Sequence, residues 1–394
     1  MKRSYRYRLK PNRQQVRTSS RILETHRQLY NAALQERREA WRMRQVSVSY
    51  LMQANQLQAI RAFDEDIAFL NYSSCQQTLR RLDKAFAAFF RRIREGAKAG
   101  YPRFKSRRRF KSVAYVYGDG VRLEDGRLYI QNVGRVRIRL HRPLPQGAQV
   151  KQVVIQRTAT DEWYATFQIE LPDPQVEPHP GPAVGIDLGL EHFAALSTGE
   201  LVANPRWFRE TEAALALAQR QRARCRRGSR RYRELSQQIR RLHEQIARQR
   251  RDFQHKLSRR LVQEFGWIAV EDLNVLGLSR SMLAKSVHDA GWSQFLFFLT
   301  YKAEEAGGEV EQVAAAGTTQ DCANCGLLVP KALAERRHRC PHCGFTASRD
   351  VNAALNILFR STAWAERPCK GLLGLVGLDL STSQQAEVVG SRRL

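Results

Sequence analysis

Leu79, Leu82, Phe86, Phe89, Phe90 and Ile93 recur at spacings of three and four, with Arg80, Arg81, Lys84, Arg91 and Arg92 between them. That period predicts an amphipathic helix whose apolar stripe is core, and the pattern stays helical from about 14 to 98. Residues 1–10 instead alternate basic with aromatic or apolar side chains (Tyr5, Tyr7, Leu9), a short strand closed by Pro11. Period two returns over 113–170, where Val136, Ile138 and Leu140 alternate with Arg135, Arg137 and Arg139 and Asp125-Gly126 marks a hairpin turn. Several short strands in succession predict a small antiparallel barrel. Five prolines between Leu171 and Pro182 read as a rigid extended linker and a domain boundary.

Beyond the boundary, Ala183–Ile186 and Trp267–Val270 read as buried strands. Residues 207–262 read as an arginine-rich helical hairpin broken at Gly228-Ser229, and an amphipathic helix is expected around 289–306. The last residues, 370–394, carry no pattern and are expected to be weakly ordered.

Charge changes the picture. The chain has 394 residues, with 66 Lys+Arg against 38 Asp+Glu, a formal net charge of +28. This excess points to a polyanionic partner, nucleic acid or an anionic membrane. No stretch approaches the ~18 consecutive apolar residues of a membrane span, and the basic N-terminus lacks the apolar core of a secretory signal, so a cytoplasmic location is expected. Residues 101–111 hold six cations, three aromatics and no acid. That mixture suits phosphates and stacked bases, although a basic surface loop has the same composition. The arginines interleaved along 79–93 are read as a phosphate-facing surface rather than a merely solvated one.

Two constellations carry chemistry. Cys322-x-x-Cys325-Gly326 and Cys340-x-x-Cys343-Gly344, fourteen residues apart, have the spacing of two knuckles that bring four thiolates around one zinc. Four sulfurs close the site, so the zinc is structural; His338 and His342 are not needed as ligands. Cys75, Cys225 and Cys369 are isolated and read as packing or surface thiols. The second set is three acids at element ends. Asp187 and Glu271 follow the two buried strands, and Asp350 stands at the start of an apparent helix, Val351–Leu358. Taken singly, each is also a turn residue or a helix-dipole cap. Converging on one sheet edge, they would need Mg²⁺ or Mn²⁺ between them, the arrangement of two-metal phosphodiester hydrolysis.

These residues resemble a family, the transposon-encoded TnpB nucleases, compact RNA-guided relatives of the type V CRISPR effectors. The resemblance is carried by Gly185–Leu190, Val270–Asn274, the four-cysteine ribbon and Arg349–Ile357, with Tyr101–Lys105, Arg251–Leu257 and Asp289–Trp292 as further signatures. It implies a multidomain α+β chain. A β-barrel wedge domain (1–10 and 100–180) would be interrupted by a helical recognition domain (11–99). An RNase H-like RuvC nuclease domain (181–317 and 346–369) would carry an inserted zinc ribbon (318–345). The resemblance makes Asp187, Glu271 and Asp350 the catalytic acids, holding Mg²⁺ or Mn²⁺. The partners it implies are a guide RNA from the transposon end and double-stranded target DNA, cut beside a short adjacent motif. It also places motif reading on the recognition helices and wedge domain. There Gln76, Gln77 and Arg80 have the chemistry for base edges, Tyr50 offers a ring or hydroxyl, and Arg103 and Lys105 are further nucleic-acid candidates. Gln and Ser are equally ordinary on an exposed helix. The rivals are a nuclease-inactive RNA-guided DNA-binding repressor and a guide-free DNA-cutting transposase.

Overall fold

The computed structural model describes residues 1–172, 176–278, 284–332 and 335–362. Pro174, Cys369 and the tail 370–394 lie outside them. The chain divides into two compact units, residues 1–174 and 175–394. No helix among the described residues is long and apolar enough to cross a membrane.

In the first unit, β1 (Lys2–Lys10) is followed by α1 (Arg13–Arg44), α2 (Tyr50–Phe63), α3 (Glu65–Phe69) and α4 (Tyr72–Arg94). Then come β2 (Ser112–Val116), β3 (Val121–Glu124), β4 (Arg127–Ile130), β5 (Gly134–Arg139), β6 (Gln149–Arg157) and β7 (Trp163–Glu170). The seven strands form one antiparallel sheet in the order β2-β6-β7-β1-β5-β4-β3. A bridge between Tyr117 and Val121 brings the two end strands together, so the sheet nearly closes. The first strand is thus the centre of a sheet whose other members are read only after the four helices. Alternation fixes which face is inside: Tyr7, Leu128, Val136, Val153 and Phe167 are fully buried. Asp125 and Gly126 take φ values of 46° and 70° at the β3–β4 turn, the two left-handed positions that the Asp-Gly pair signals.

The helices begin where their caps dictate. Asn12 accepts from the Gln15 N–H, and the Gln15 side chain accepts from the Asn12 N–H. Between α1 and α4 the buried His26 ring meets Ser74 Oγ at 3.1 Å and Thr78 Oγ1 at 2.9 Å. Burial pulls its pKa down to about 3, so it serves as a neutral tie between the helices. The stripe on α4 is core only in its first half. Leu79 and Leu82 are buried, whereas Phe90 and Ile93 are 55% and 51% exposed. Tyr101 meets Phe86 and Phe89 edge-on, so the distal aromatics form a surface cluster instead of a core. Leu140, past the end of β5, is likewise exposed.

In the second unit, β8 (Ala183–Asp187), β9 (His192–Leu196) and β10 (Leu201–Ala203) lead into α5 (Trp207–Ala223) and α6 (Arg230–Glu264). The chain continues through β11 (Trp267–Glu271), α7 (Val275–Leu278), α8 (Ala284–Ala290), α9 (Trp292–Ala306) and β12 (Glu309–Val313). A hairpin of β13 (Arg337–Arg339) and β14 (Thr346–Ser348) precedes α10 (Arg349–Phe359). The main sheet has the order β10-β9-β8-β11-β12, with β8, β11 and β12 parallel and β9 antiparallel to both of its neighbours, β8 and β10. Sequence patterning foresaw β8 and β11, whose continuous burial suits central parallel strands. The short strands β9, β10 and β12 carry no comparable run.

The helix expected around 289–306 begins only at Trp292. Gly291, at φ 65°, turns the chain, and the Asp289 carboxylate accepts from the Phe208 N–H at the start of α5. The second half of the proline-rich segment is strapped onto this unit instead of spanning free solvent. His179 N donates to Gly307 O, and a Cβ on Gly307 would lie 1.9 Å from Glu177 O. Gly185 lets α10 settle on β8: a Cβ there would stand 2.0 Å from Ala354 O and 2.7 Å from Leu358 N.

Candidate metal centres and nucleic-acid contacts

Asp187 and Glu271 are the last residues of β8 and β11, neighbouring parallel strands whose Ile186 and Val270 are paired. Their carboxylates therefore emerge together at the carboxyl edge of the sheet. Asp350, the second residue of α10, is brought to the same edge because α10 lies across β8. Asp187 and Glu271 are only 9% and 8% exposed. Burial, then the negative charges of Glu271 and Asp350, push the Asp187 pKa up to about 7 against the opposing pull of Arg349. Burial also raises Glu271, opposed by the Thr318 hydroxyl and the charge of Arg360. Asp350 pairs with Arg349 at 3.5 Å. Carboxylates from three segments separated in sequence thus come close enough for Glu271 and Asp350 to act on Asp187, a set of hard-oxygen donors.

The four cysteines are drawn together more tightly. Among the described residues they are the one group of three or more potential ligands whose donor atoms all lie within 4.8 Å. Sγ of Cys322 is 3.7 Å from that of Cys343, and Sγ of Cys325 is 3.6 Å from that of Cys340. A regular tetrahedron with Zn–S of ~2.3 Å has edges of ~3.8 Å. The two knuckles repeat each other. Gly326 N donates to Cys322 O and Gly344 N to Cys340 O, both glycines at φ 75°, while the Cys322 and Cys340 N–H groups donate to Leu327 O and Phe345 O. Cys343 is lowered to about 6 by hydrogen bonds from the Asn324 side chain and the Phe345 backbone, whereas burial raises Cys322 to about 12. His338 is buried beside Lys331, outside the thiol cluster. Cys75 is a buried packing residue, and Cys225, just past the end of α5, donates back to Gln221 O.

Sequence reasoning missed what joins the two clusters. Asn352 Oδ1 accepts from Ala323 N at 3.0 Å, and its amide donates to Asp321 O at 2.8 Å. The Asn356 amide donates to Thr318 O and Asp321 O at 2.8 and 2.7 Å. Arg360 reaches the Ala314 and Ala316 carbonyls and pairs with Asp321 at 2.7 Å. A signal was present: two asparagines four apart inside an otherwise apolar, buried helix.

In the first unit the structure brings some of the predicted contacts together. Arg80 Nε donates to Tyr50 Oη at 3.0 Å, and its guanidinium lies over the Tyr50 ring. Gln77 accepts from the Gln152 amide on β6 at 3.2 Å, and Gln76 is half-buried. Lys105 is held by its backbone, which accepts from Asn31 and Arg27 and donates to Asn31 Oδ1, while its ammonium faces the Tyr30 ring. Arg103 is exposed and lines a cavity of about 800 Å³ with Arg38, Arg42, Trp41, Tyr101 and Phe104.

Comparison with known proteins agrees with this architecture. A family model described as "Probable transposase" (OrfB of IS605) matches residues 166–282, and a Cas12f1-like TNB domain model matches 292–357. A helix-turn-helix model matches residues 1–45, where the structure has one strand and the single long helix α1. A Streptomyces pristinaespiralis protein named "Putative RNA-guided DNA endonuclease" is 35% identical over 366 residues, 91% of this chain and 89% of the relative. The Escherichia coli K12 protein of the same name, InsQ, is 31% identical over 377 residues, covering 90% and 91%. The cryo-EM structure of a Cas12f1–sgRNA–target DNA complex superposes with a TM-score of 0.53 at 15% identity, over 86% of this chain and 81% of that one, so the fold is shared. With such identity sustained over nine-tenths of the chain, the protein belongs to the TnpB (OrfB/IS605) family, whose relatives bear the name of RNA-guided DNA endonucleases.

Proposed function

We propose that this chain is an RNA-guided, metal-dependent endonuclease that cuts double-stranded DNA beside a short adjacent motif. Its guide would come from the transposon end, and it would act on DNA in the prokaryotic cytoplasm. The observation that carries the reading is the coupling of Asp187, Glu271 and Asp350 at one sheet edge, with Asp187 raised to about 7 by burial and by the other two acids. The sheet, three parallel strands extended beyond β8 by the antiparallel meander β9–β10, supports an RNase H-like RuvC assignment for the second unit.

The donor set fits hard divalent cations: three carboxylates, two of them buried, with charge that neighbouring arginines only partly offset. Asp187, Glu271 and Asp350 would hold Mg²⁺ or Mn²⁺, which supplies water activation and leaving-oxygen stabilisation for phosphodiester hydrolysis. The chain's own contribution is to fix the carboxylates on rigid strand and helix ends. Cys322, Cys325, Cys340 and Cys343 would hold one structural zinc, a reading supported by their tetrahedral spacing. The first unit would be the wedge barrel with its helical recognition insertion. In it Tyr50, Gln76, Gln77, Arg80, Arg103 and Lys105 would contact guide or target, and the net charge of +28 supplies the general attraction.

The test is to sequence the RNA that co-purifies with the protein, then offer a plasmid carrying the matching target within a library of flanking sequences. One dominant RNA species and Mg²⁺-dependent cutting confined to matched targets are expected. Cutting without RNA would instead support a transposase, and tight guided binding without cutting by the wild type would support a repressor.

A further inference from the structure

We propose that Thr318 is a positioning residue for Glu271, and that through it the seating of the cysteine ribbon sets the acid site. The inference rests on the reading of Glu271 as a metal-holding acid. Thr318 lies between the end of β12 and the first knuckle, four residues before Cys322, and is 1% exposed. Its Oγ1 is 2.8 Å from Glu271 Oε1 and 3.1 Å from Ala315 O. A hydroxyl has one proton, and the charge-assisted, shorter bond to the carboxylate takes it. One Glu271 oxygen is thereby held by the protein, which restricts how the carboxylate can turn beside Asp187.

Thr318 is itself placed by the ribbon and by α10. Its carbonyl accepts from Asn356, and the turn it sits in, begun by Gly317, is closed by Gln320 N and Asp321 N donating to Gly317 O. Asp321, the residue before Cys322, is gripped by Asn352, Asn356 and Arg360. The helix that carries Asp350 thus also grips the ribbon's base, and the ribbon's base holds Glu271. A disturbance at the thiol cluster has a short covalent and hydrogen-bonded route to the carboxylates. Groups of this kind, which hold a metal-binding side chain without touching the metal, change affinity by ~10–100-fold when removed.

The experiment titrates Mn²⁺ into the full chain with its co-purified RNA and reads free Mn²⁺ by electron paramagnetic resonance. Glu271→Gln defines the fraction of binding that belongs to the acid site. Thr318→Val, close in shape but lacking the hydroxyl, is expected to weaken that fraction by ~10-fold or more, and Thr318→Ser to keep it within about threefold of wild type. Cys343→Ser should weaken it as well, and should add little on a Thr318→Val background, since both act through one bond. Zinc content and melting temperature are measured for every variant; if Thr318→Val loses zinc, Thr318→Ala is compared with Thr318→Ser at equal zinc content. Wild-type Mn²⁺ affinity in a zinc-loaded Thr318→Val protein, or equal weakening in Thr318→Ser and Thr318→Val, overturns the proposal. Equal Mn²⁺ binding by wild type and Glu271→Gln removes the acid-site reading itself, and the inference with it.

Discussion

The thiol cluster and the acid cluster are both tied to α10, which grips the turn before Cys322 and carries Asp350, yet they are assembled by opposite means. The four cysteines come from 22 consecutive residues, Cys322 to Cys343, and each knuckle shapes itself with a glycine at φ 75° and two local hydrogen bonds. The three acids are separated by 84 and 79 residues, and nothing local brings them together. Their meeting depends on β8 and β11 being parallel neighbours and on α10 packing closely over β8. The thiols sit within 4.8 Å of one another, whereas the acids stand as mutually repelling charges, the buried Asp187 held well above the carboxylate range. A locally encoded site is insensitive to the rest of the fold; a topologically encoded one registers every change in packing.

The largest test of that contrast removes a thiol. Cys340→Ser is expected to abolish stoichiometric zinc in native mass spectrometry. Structural zinc contributes ~10–16 kcal/mol in small domains, so protease cutting should appear within 318–345 while the remainder stays resistant. Removing an acid should do the reverse. Asp187→Ala, Glu271→Ala or Asp350→Ala is expected to lower guided cleavage about a thousandfold, the effect of several kcal/mol of transition-state stabilisation, with target binding and zinc content unchanged. A variant that cleaves at the wild-type rate removes that acid from the site.

Gly185→Ala strikes the packing alone. A Cβ 2.0 Å from Ala354 O must push α10 off β8, and at least ~1–3 kcal/mol of stability should be lost. Because α10 carries Asp350, cleavage should fall while the thiol cluster keeps its zinc. An unchanged melting temperature would show that the helix approach is slack.

The smallest effect is a pH slope. With Asp187 raised to about 7 from its ordinary value near 4, the folded protein binds the extra proton between these limits and the unfolded chain does not. Without divalent ions, stability should therefore fall as pH rises from about 4 to 7. Conversely, the half-saturating Mg²⁺ concentration should drop by up to ~tenfold per pH unit over the upper part of that range and level off above it. Asp187→Asn should flatten the melting-temperature slope. The thiol site offers the contrast: its zinc should stay bound across the upper part of this range.

The same difference governs what could be read in advance. The strand at 2–10, the break at Gly228-Ser229 and the Asp-Gly hairpin follow from period, caps and turn chemistry, which act over a few residues. The distal end of the α4 stripe misled, since Phe89 and Phe90 have core spacing but join Tyr101 and the half-buried Phe86 in a ring cluster at the surface. Period tells which residues share a face, not what covers it. The strands β9, β10 and β12 escaped because they are short and hydrogen bonding to neighbours defines them. Thr318 was invisible for a similar reason: its importance is a 2.8 Å contact with a residue 47 positions earlier.

By itself, then, the sequence determined the net positive charge, the knuckles and the types of the strongly periodic elements, because charge, ligand spacing and hydrophobic period are properties of neighbouring residues. It also displayed the three acids as strand-end and helix-start residues without bringing them together. Only the tertiary structure decided that they share one edge, that α10 can approach β8 because position 185 has no side chain, and that the ribbon's base grips Glu271. Those outcomes depend on distances between segments remote in sequence, which are set when strands pair and helices pack.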